Sequence, residues 1–183
     1  MVRLDEYELN NYSFKHKFLV SIWTLVRAFF FLTSFPFPNK IKVSILKLFG
    51  AKIGEGVVIK PNVNIKFPWR LVVGDHTWIG ENVWIDNLEN VCISDHCCLS
   101  QGSFLLTGNH NYKSRTFDLL TSQINICQGA WIGAKSVVCP GVVIGEHAVL
   151  TVGSIAKCDL QPNGIYSGSP AVFVRSRFEN DRC

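Results

Sequence analysis

The chain has 183 residues, enough for one domain with a sizeable core, and 48% hydrophobic against 17% charged residues is a globular rather than a disordered balance. Seven cysteines (Cys92, Cys97, Cys98, Cys127, Cys139, Cys158 and Cys183) are odd in number, form no CxxC pair and follow no secretory leader with a cleavage site. This argues against a disulfide framework and for a reducing, cytoplasmic compartment. Only Cys97 and Cys98 are close, and adjacent residues rarely both reach one metal, so no metal site is expected.

The net charge of +4 is concentrated near the start: Lys15, Lys17, Arg27, Lys40, Lys42, Lys47 and Lys52 occur between Leu9 and Lys52 without a single acid. Residues 1–52 are therefore expected to form a basic helical segment. The run KFLVSIWTLVRAFFFLTSFPF is apolar over about a membrane-spanning length, but Arg27 in its middle and Pro36 at its end argue against a crossing. Lys17, Ser21, Thr24 and Arg27 recur at helical spacing and predict an outward polar face, leaving Phe18, Ile22, Val26, Phe29 and Phe30 on the apolar side. After FPFPN, Ile41, Ile45, Leu48 and Phe49 repeat the pattern with Lys40 and Lys47 outward. Two compatible roles are open. The helices could lie on an anionic membrane surface at the cytoplasmic face, Lys40, Lys42 and Lys47 each contributing about 1 kcal/mol, or they could cap the next domain.

From Ile53 to Lys157 a six-residue beat takes over. Aliphatic residues fall at Ile53, Ile59 and Ile65, then Val73, Ile79 and Ile85, then Ile93, Leu99 and Leu105, and after an interruption at Ile126, Ile132, Val138, Ile144 and Leu150, with Ala156 last. Four places later comes a small or β-branched residue, as at Val57, Val63, Thr77, Cys97, Ser103, Ala130, Ser136 and Ser154. Two inward residues flanking one outward residue make a short strand, and the remaining three turn a corner. Three such units per turn predict a triangular prism of parallel strands, with about five coils stacking their aliphatic ladders into one core. The two-residue insertions after Ile65 and Ile85 are corners that bulge outward.

The beat fails once, between Leu105 and Ile126, where a loop of about residues 107–125 replaces a three-residue corner. Long loops in short-cornered folds carry function or are disordered. His110 stands where the repeat yields to this loop, among Asn109, Tyr112, Lys113 and other polar residues. His76, His96 and His147 instead share one place in their units at a solvent-facing corner, and His16 lies in the basic helix. These four read as ordinary surface residues.

Residues just before the inward positions face outward, which puts Trp78, Cys98, Trp131 and Val149 on one face of the prism. Exposed tryptophans on a slender prism imply either a subunit contact or a ligand groove. Residues 158–183 are expected to form a C-terminal tail.

The blocks LKLFGAKIGEGVVI, PWRLVVGDHTWIGENVWI, LLTGNHNY, WIGAKSVVCPGVVIG and SGSPAVFVR, in this order, resemble the colanic acid biosynthesis O-acetyltransferase family, and more distantly the galactoside and maltose O-acetyltransferases. The resemblance covers nearly the whole chain. It implies a left-handed parallel β-helix, a handedness that periodicity alone would not give. It also implies a homotrimer with sites between neighbouring prisms, and acetyl-CoA-dependent O-acetylation of a sugar or lipid-linked glycan in surface polysaccharide synthesis, without metal or nucleic acid. His110 matches the family's catalytic histidine, a general base. Trp131 matches a tryptophan lining the pantetheine channel, with Gly133 in the same block. Lys157, Gly168, Pro170 and Arg175 fall in the coenzyme A segments. In GSIAKCD, however, Lys157 comes one place early and Cys158 takes the usual Lys position. Asp86, Asn87, Asn109 and Tyr112 are the expected acceptor contacts.

Two other readings compete. A γ-class carbonic anhydrase shares the scaffold but needs two histidines five residues apart, and the sequence has no such pair. A non-enzymatic scaffold of a polysaccharide assembly complex would leave the polar His-bearing loop without a purpose.

Overall fold

A computed structural model describes residues 2–7 and 14–178, so Cys183 and the side chain of Lys15 lie outside what can be described. The strands form three parallel faces. The first stacks Lys52–Ile53, Leu71–Val73, Val91–Ile93, Ile124–Ile126 and Val143–Ile144. The second stacks Val58–Ile59, Trp78–Ile79, Cys98–Leu99, Trp131–Ile132, Val149–Leu150 and Gly164–Gly168, and the third stacks Asn64–Ile65, Trp84–Asp86, Phe104–Leu106, Val137–Val138 and Ile155–Ala156.

The inward residues meet their own kind one coil away. Ile53, Val73, Ile93, Ile126 and Ile144 pair in sequence on the first face, and Ile59, Ile79, Leu99, Ile132 and Leu150 on the second. Every residue on the six-residue beat is buried, as are the small residues four places after it. No isolated two-residue strand could hold such a surface dry, so stacking is the source of stability. The glycines after inward positions let coils approach: a Cβ on Gly133 would sit 2.6 Å from Leu150 O and Val152 N of the next coil.

Five coils are complete, and a sixth begins with a bridge from Leu160 to Ile144 and the pairing of Gly164–Gly168 with Val149–Leu150. The segment read as a tail thus extends the solenoid, and its Ala171–Ser176 strand turns back antiparallel along Gly164–Gly168. The first outward corner is a 3-10 turn at Pro68–Arg70.

Two helices, α1 (Phe14–Phe30) and α2 (Asn39–Leu48), cover the first coil. Trp23 is buried with its indole N–H on Ile65 O at 2.9 Å, Asn39 accepts from Ile59 N at 2.8 Å and donates to Val57 O, and Lys42 Nζ reaches Ile59 O and Lys60 O at 3.0 and 3.1 Å. These bonds satisfy main-chain groups that a bare end coil would leave open. The helix faces differ from the sequence reading. Arg27 is not outward: it is half-buried beside Val26 and Phe30, and burial lowers its pKa, with Asp86 partly opposing the shift. Lys42 is 2% exposed and not a surface cation at all, and burial followed by the nearby Lys60 charge lowers its pKa. Phe18, Ile22, Leu25, Phe29, Ile41 and Leu48 face outward instead. The reason is that α1 is apolar nearly all round, so periodicity does not decide which arc packs; the Trp23 anchor does. Among the described residues, no helix is long and apolar enough to cross a membrane.

Candidate active site

The interruption is a hairpin. Gly108–His110 pairs antiparallel with Leu119–Thr121, placing His110 opposite Leu119. The excursion leaves the ladder intact, since Ile93 and Ile126 on either side of it still pair in register. At the tip Asn111 N–H donates to Asp118 O at 2.8 Å and Ser114 N–H to Asn111 O at 3.0 Å. The Asp118 carboxylate accepts from Thr116 and Ser114 hydroxyls at 2.6 and 2.7 Å, and these two bonds hold its pKa below the ordinary carboxylate range. The polar residues of the loop largely satisfy one another, which gives the loop a defined shape.

His110 is held from two directions by Phe117. The imidazole stacks on the Phe117 ring with centroids 4.4 Å apart and planes 7° off parallel. Nδ1 lies 2.8 Å from Phe117 O. A carbonyl oxygen only accepts, so Nδ1 is the donor, and in the neutral ring the lone pair lies on Nε2. None of the described residues hydrogen-bonds to Nε2. Phe117 has φ +52°, a left-handed conformation that costs a bulky residue about 1–2 kcal/mol and that glycine would adopt freely. Its ring on the imidazole and its carbonyl on Nδ1 are what the strained conformation secures.

The other expected site residues separate into groups. Asn109 adjoins His110, its Oδ1 accepting the His110 N–H at 2.8 Å, and Tyr112 is exposed at the tip. Asp86 lies beneath the hairpin base, ion-paired to Lys66 at 2.8 Å, with its carbonyl accepting from Thr107 Oγ1. Asn87, expected as an acceptor contact, is instead fully buried and its amide spans Phe67, accepting from N at 2.9 Å and donating to O at 2.6 Å. It ties together the two outward corners, which accounts for an amide at that position.

Lys157 shares an open cavity of about 530 Å³ with Leu106, Asn109, Leu120, Thr121, Ser122, Cys139 and Pro140, on the hairpin's flank. Trp131, Gly133, Gly168, Pro170 and Arg175 lie elsewhere, on or beside the second face. Trp131 is half-exposed with Nε1 on Ser100 Oγ at 2.8 Å. Gly168 and Pro170 form the turn between the two C-terminal strands, and Arg175 is exposed on the outer one. Within one chain, then, the hairpin and Lys157 form one group and Trp131 and Arg175 another. The described residues contain no cluster of three His, Cys, Asp or Glu side chains able to hold a metal.

Sequence reasoning missed Phe117, Tyr7 and Glu6, all of which act on the hairpin. Phe117 gave no signal, because an aromatic in a polar loop reads as an anchor of any kind.

This fold is that of the hexapeptide-repeat acyltransferases. A hexapeptide-repeat-containing acetyltransferase from Vibrio cholerae, solved with acetyl coenzyme A, superposes with a TM-score of 0.81 over 94% of each chain at 22% identity. A galactoside acetyltransferase solved with coenzyme A gives 0.82 at 23% identity, over 92% of this chain and 86% of that one. No family model matches the sequence. The protein named as the colanic acid biosynthesis acetyltransferase WcaF of Escherichia coli (strain K12) is 37% identical over 162 residues, 88% of this chain and 89% of its own. The chain belongs to that family and is an acyltransferase. The galactoside O-acetyltransferase of the same organism is 27% identical over 152 residues, 81% of this chain and 75% of that protein.

Proposed function

We propose that the protein transfers an acetyl group from acetyl-CoA to a sugar hydroxyl in the assembly of a surface polysaccharide such as an exopolysaccharide, capsule or O-antigen, with His110 as general base. The observation that carries this is the 2.8 Å contact of Nδ1 with Phe117 O: the carbonyl can only accept, so in the neutral ring Nδ1 donates its hydrogen and Nε2 is the basic atom. The hydroxyl oxygen attacks the thioester carbonyl while Nε2 accepts its proton. The tetrahedral intermediate then collapses, the C–S bond breaks, and the imidazolium returns the proton to the departing sulfur. No acyl-enzyme is required, and Cys97, the most buried thiol, is unsuited to one because burial pushes its pKa up to about 11.

The acceptor meets Asp86, Asn109 and Tyr112 in this reading, while Trp131, Gly133, Lys157, Gly168, Pro170 and Arg175 serve coenzyme A. Lys157 lies on the hairpin's flank beside Asn109, whereas Trp131, Gly133, Gly168, Pro170 and Arg175 lie on or beside the second face of the same prism. In this reading the complete site is therefore formed between neighbours in a homotrimer. Two adjacent faces carry the surface for it. Trp78 and Trp131 stand out from the second, and Trp84 stacked on Phe104 at 4.6 Å from the third. Unlike faces meeting head to tail close a ring when the rotation between neighbours is a third of a turn. The outward apolar arc of α1 and α2, with Lys17, Lys40 and Lys47 exposed near it, rests on the inner face of the membrane, where a lipid-linked glycan would be met.

Mass spectrometry of surface polysaccharide from cells with and without the protein tests the activity: its absence should lighten the repeating unit by one acetyl group. In vitro, H110A should retain the trimer and coenzyme A binding while turnover falls about 100-fold or more. Near-normal turnover would remove His110 from the role.

A further inference from the structure

Residues Arg3 to Tyr7 lie against the hairpin that carries His110. Glu6 receives both arms of the Arg115 guanidinium, Nε on Oε2 at 2.8 Å and Nη2 on Oε1 at 2.6 Å. Arg3 N–H donates to the carbonyl of the same Arg115 at 2.8 Å. Tyr7 presents its ring edge-on to the imidazole, centroids 5.7 Å apart and planes at 62°. The segment is itself braced, as a 3-10 turn at Leu4–Glu6 with the Arg3 guanidinium on Asp5. Three groups of one short segment thus converge on a single loop residue and on the imidazole, across more than a hundred residues of sequence.

Arg115 stands two residues before Phe117, whose carbonyl decides which nitrogen of His110 is basic. We propose that Glu6 and Tyr7 are positioning residues for His110, so that the N-terminal segment is a working part of the active site. Glu6 holds, through Arg115, the turn that presents Phe117 O, and Tyr7 packs against the imidazole and limits its rotation. The proposal rests on His110 acting as the base. An exposed ion pair adds little to folding stability, since solvent screens it. Its contribution to a base is different in kind, because a misplacement of about 1 Å at a reacting group costs up to about 100-fold in rate.

The test compares E6Q, R115E, the double reversal E6R/R115E, Y7A, Y7F and H110A in the full-length enzyme, with acetyl-CoA and a sugar acceptor. E6Q and R115E should each lower kcat about 3- to 10-fold with KM for acetyl-CoA unchanged, and the double reversal should recover most of the loss. Y7A should lower kcat by about 10-fold and Y7F recover most of it, because the ring and not the hydroxyl makes the contact. Nitrogen-15 NMR of the His110 ring supplies a readout that a fold-only role would not move. The Nδ1–H tautomer should dominate in the wild type, and the Nε2–H tautomer should grow in E6Q and Y7A. Unchanged or raised kcat in E6Q, R115E and Y7A with H110A inactive would overturn the proposal while leaving the base in place. An active H110A would overturn both.

Discussion

His76, His96 and His147 have φ of +53°, +56° and +56° and sit at one solenoid corner, where His76 and His96 stack at 5.3 Å. His110 lies instead in a strand, with one nitrogen committed to Phe117 O. The difference was legible in the sequence because three histidines kept the beat and one did not. The surroundings of the imidazole were not legible, since Phe117 and Tyr7 meet it, and Glu6 meets Arg115, only once the hairpin is folded. Lys42 and Asn87 escaped for a related reason: their partners are main-chain atoms of a neighbouring coil, which no side-chain pattern records. Thiols show the same dependence on surroundings. Cys97 is buried and donates to Cys127 O at 3.1 Å, and burial also raises the pKa of Cys92, Cys127 and Cys139, whereas Cys158 is exposed. Iodoacetamide at pH 8 should therefore modify Cys158 quickly and Cys97 only after unfolding, as peptide mass spectrometry would show. Rapid labelling of native Cys97 would contradict its assignment to the core.

At the scale of elements, the hexapeptide units were readable because each strand is too short to hide a mixed pattern. Two inward places per six residues leave little room for error, and all are buried. The helices were readable as helices but not in their facing, because α1 offers apolar residues to both sides, and the packed side is selected by the reach of Trp23 to Ile65 O, with His16 set edge-on to Phe67 and Trp69. The same feature makes Trp23 the anchor of the cap. Replacing Trp23 with Ala should destabilise the protein by about 3–5 kcal/mol, through the lost aromatic volume and an abandoned carbonyl. Chemical denaturation would measure it, and a change under 1 kcal/mol would mean that α1 is held by other contacts.

For the whole molecule the outward faces matter more than the core. Phe18, Leu25 and Phe29 are each more than 60% exposed on the cap, too large an apolar arc to leave wet without a purpose. If it meets an anionic membrane, changing Lys17, Lys40 and Lys47 together to Gln should weaken vesicle binding by about 3 kcal/mol, an effect that high salt should mask. Lys42 is left intact in this design because it is part of the cap's hydrogen bonding. Changing Phe18, Leu25 and Phe29 to Ser should weaken binding to both anionic and neutral vesicles. Sedimentation with the two lipids in parallel separates these effects, and indifference to every variant would assign the arc to subunit contact instead.

A stack of like coils has no intrinsic length: any end coil offers a row of main-chain donors and acceptors matched in spacing to another molecule's end coil. Here Asn39, Lys42 and Trp23 occupy Val57, Ile59, Lys60 and Ile65 of the first coil before another chain can. The cap therefore closes the first coil to end-to-end pairing, and losing it would leave those main-chain groups open to another chain's end coil.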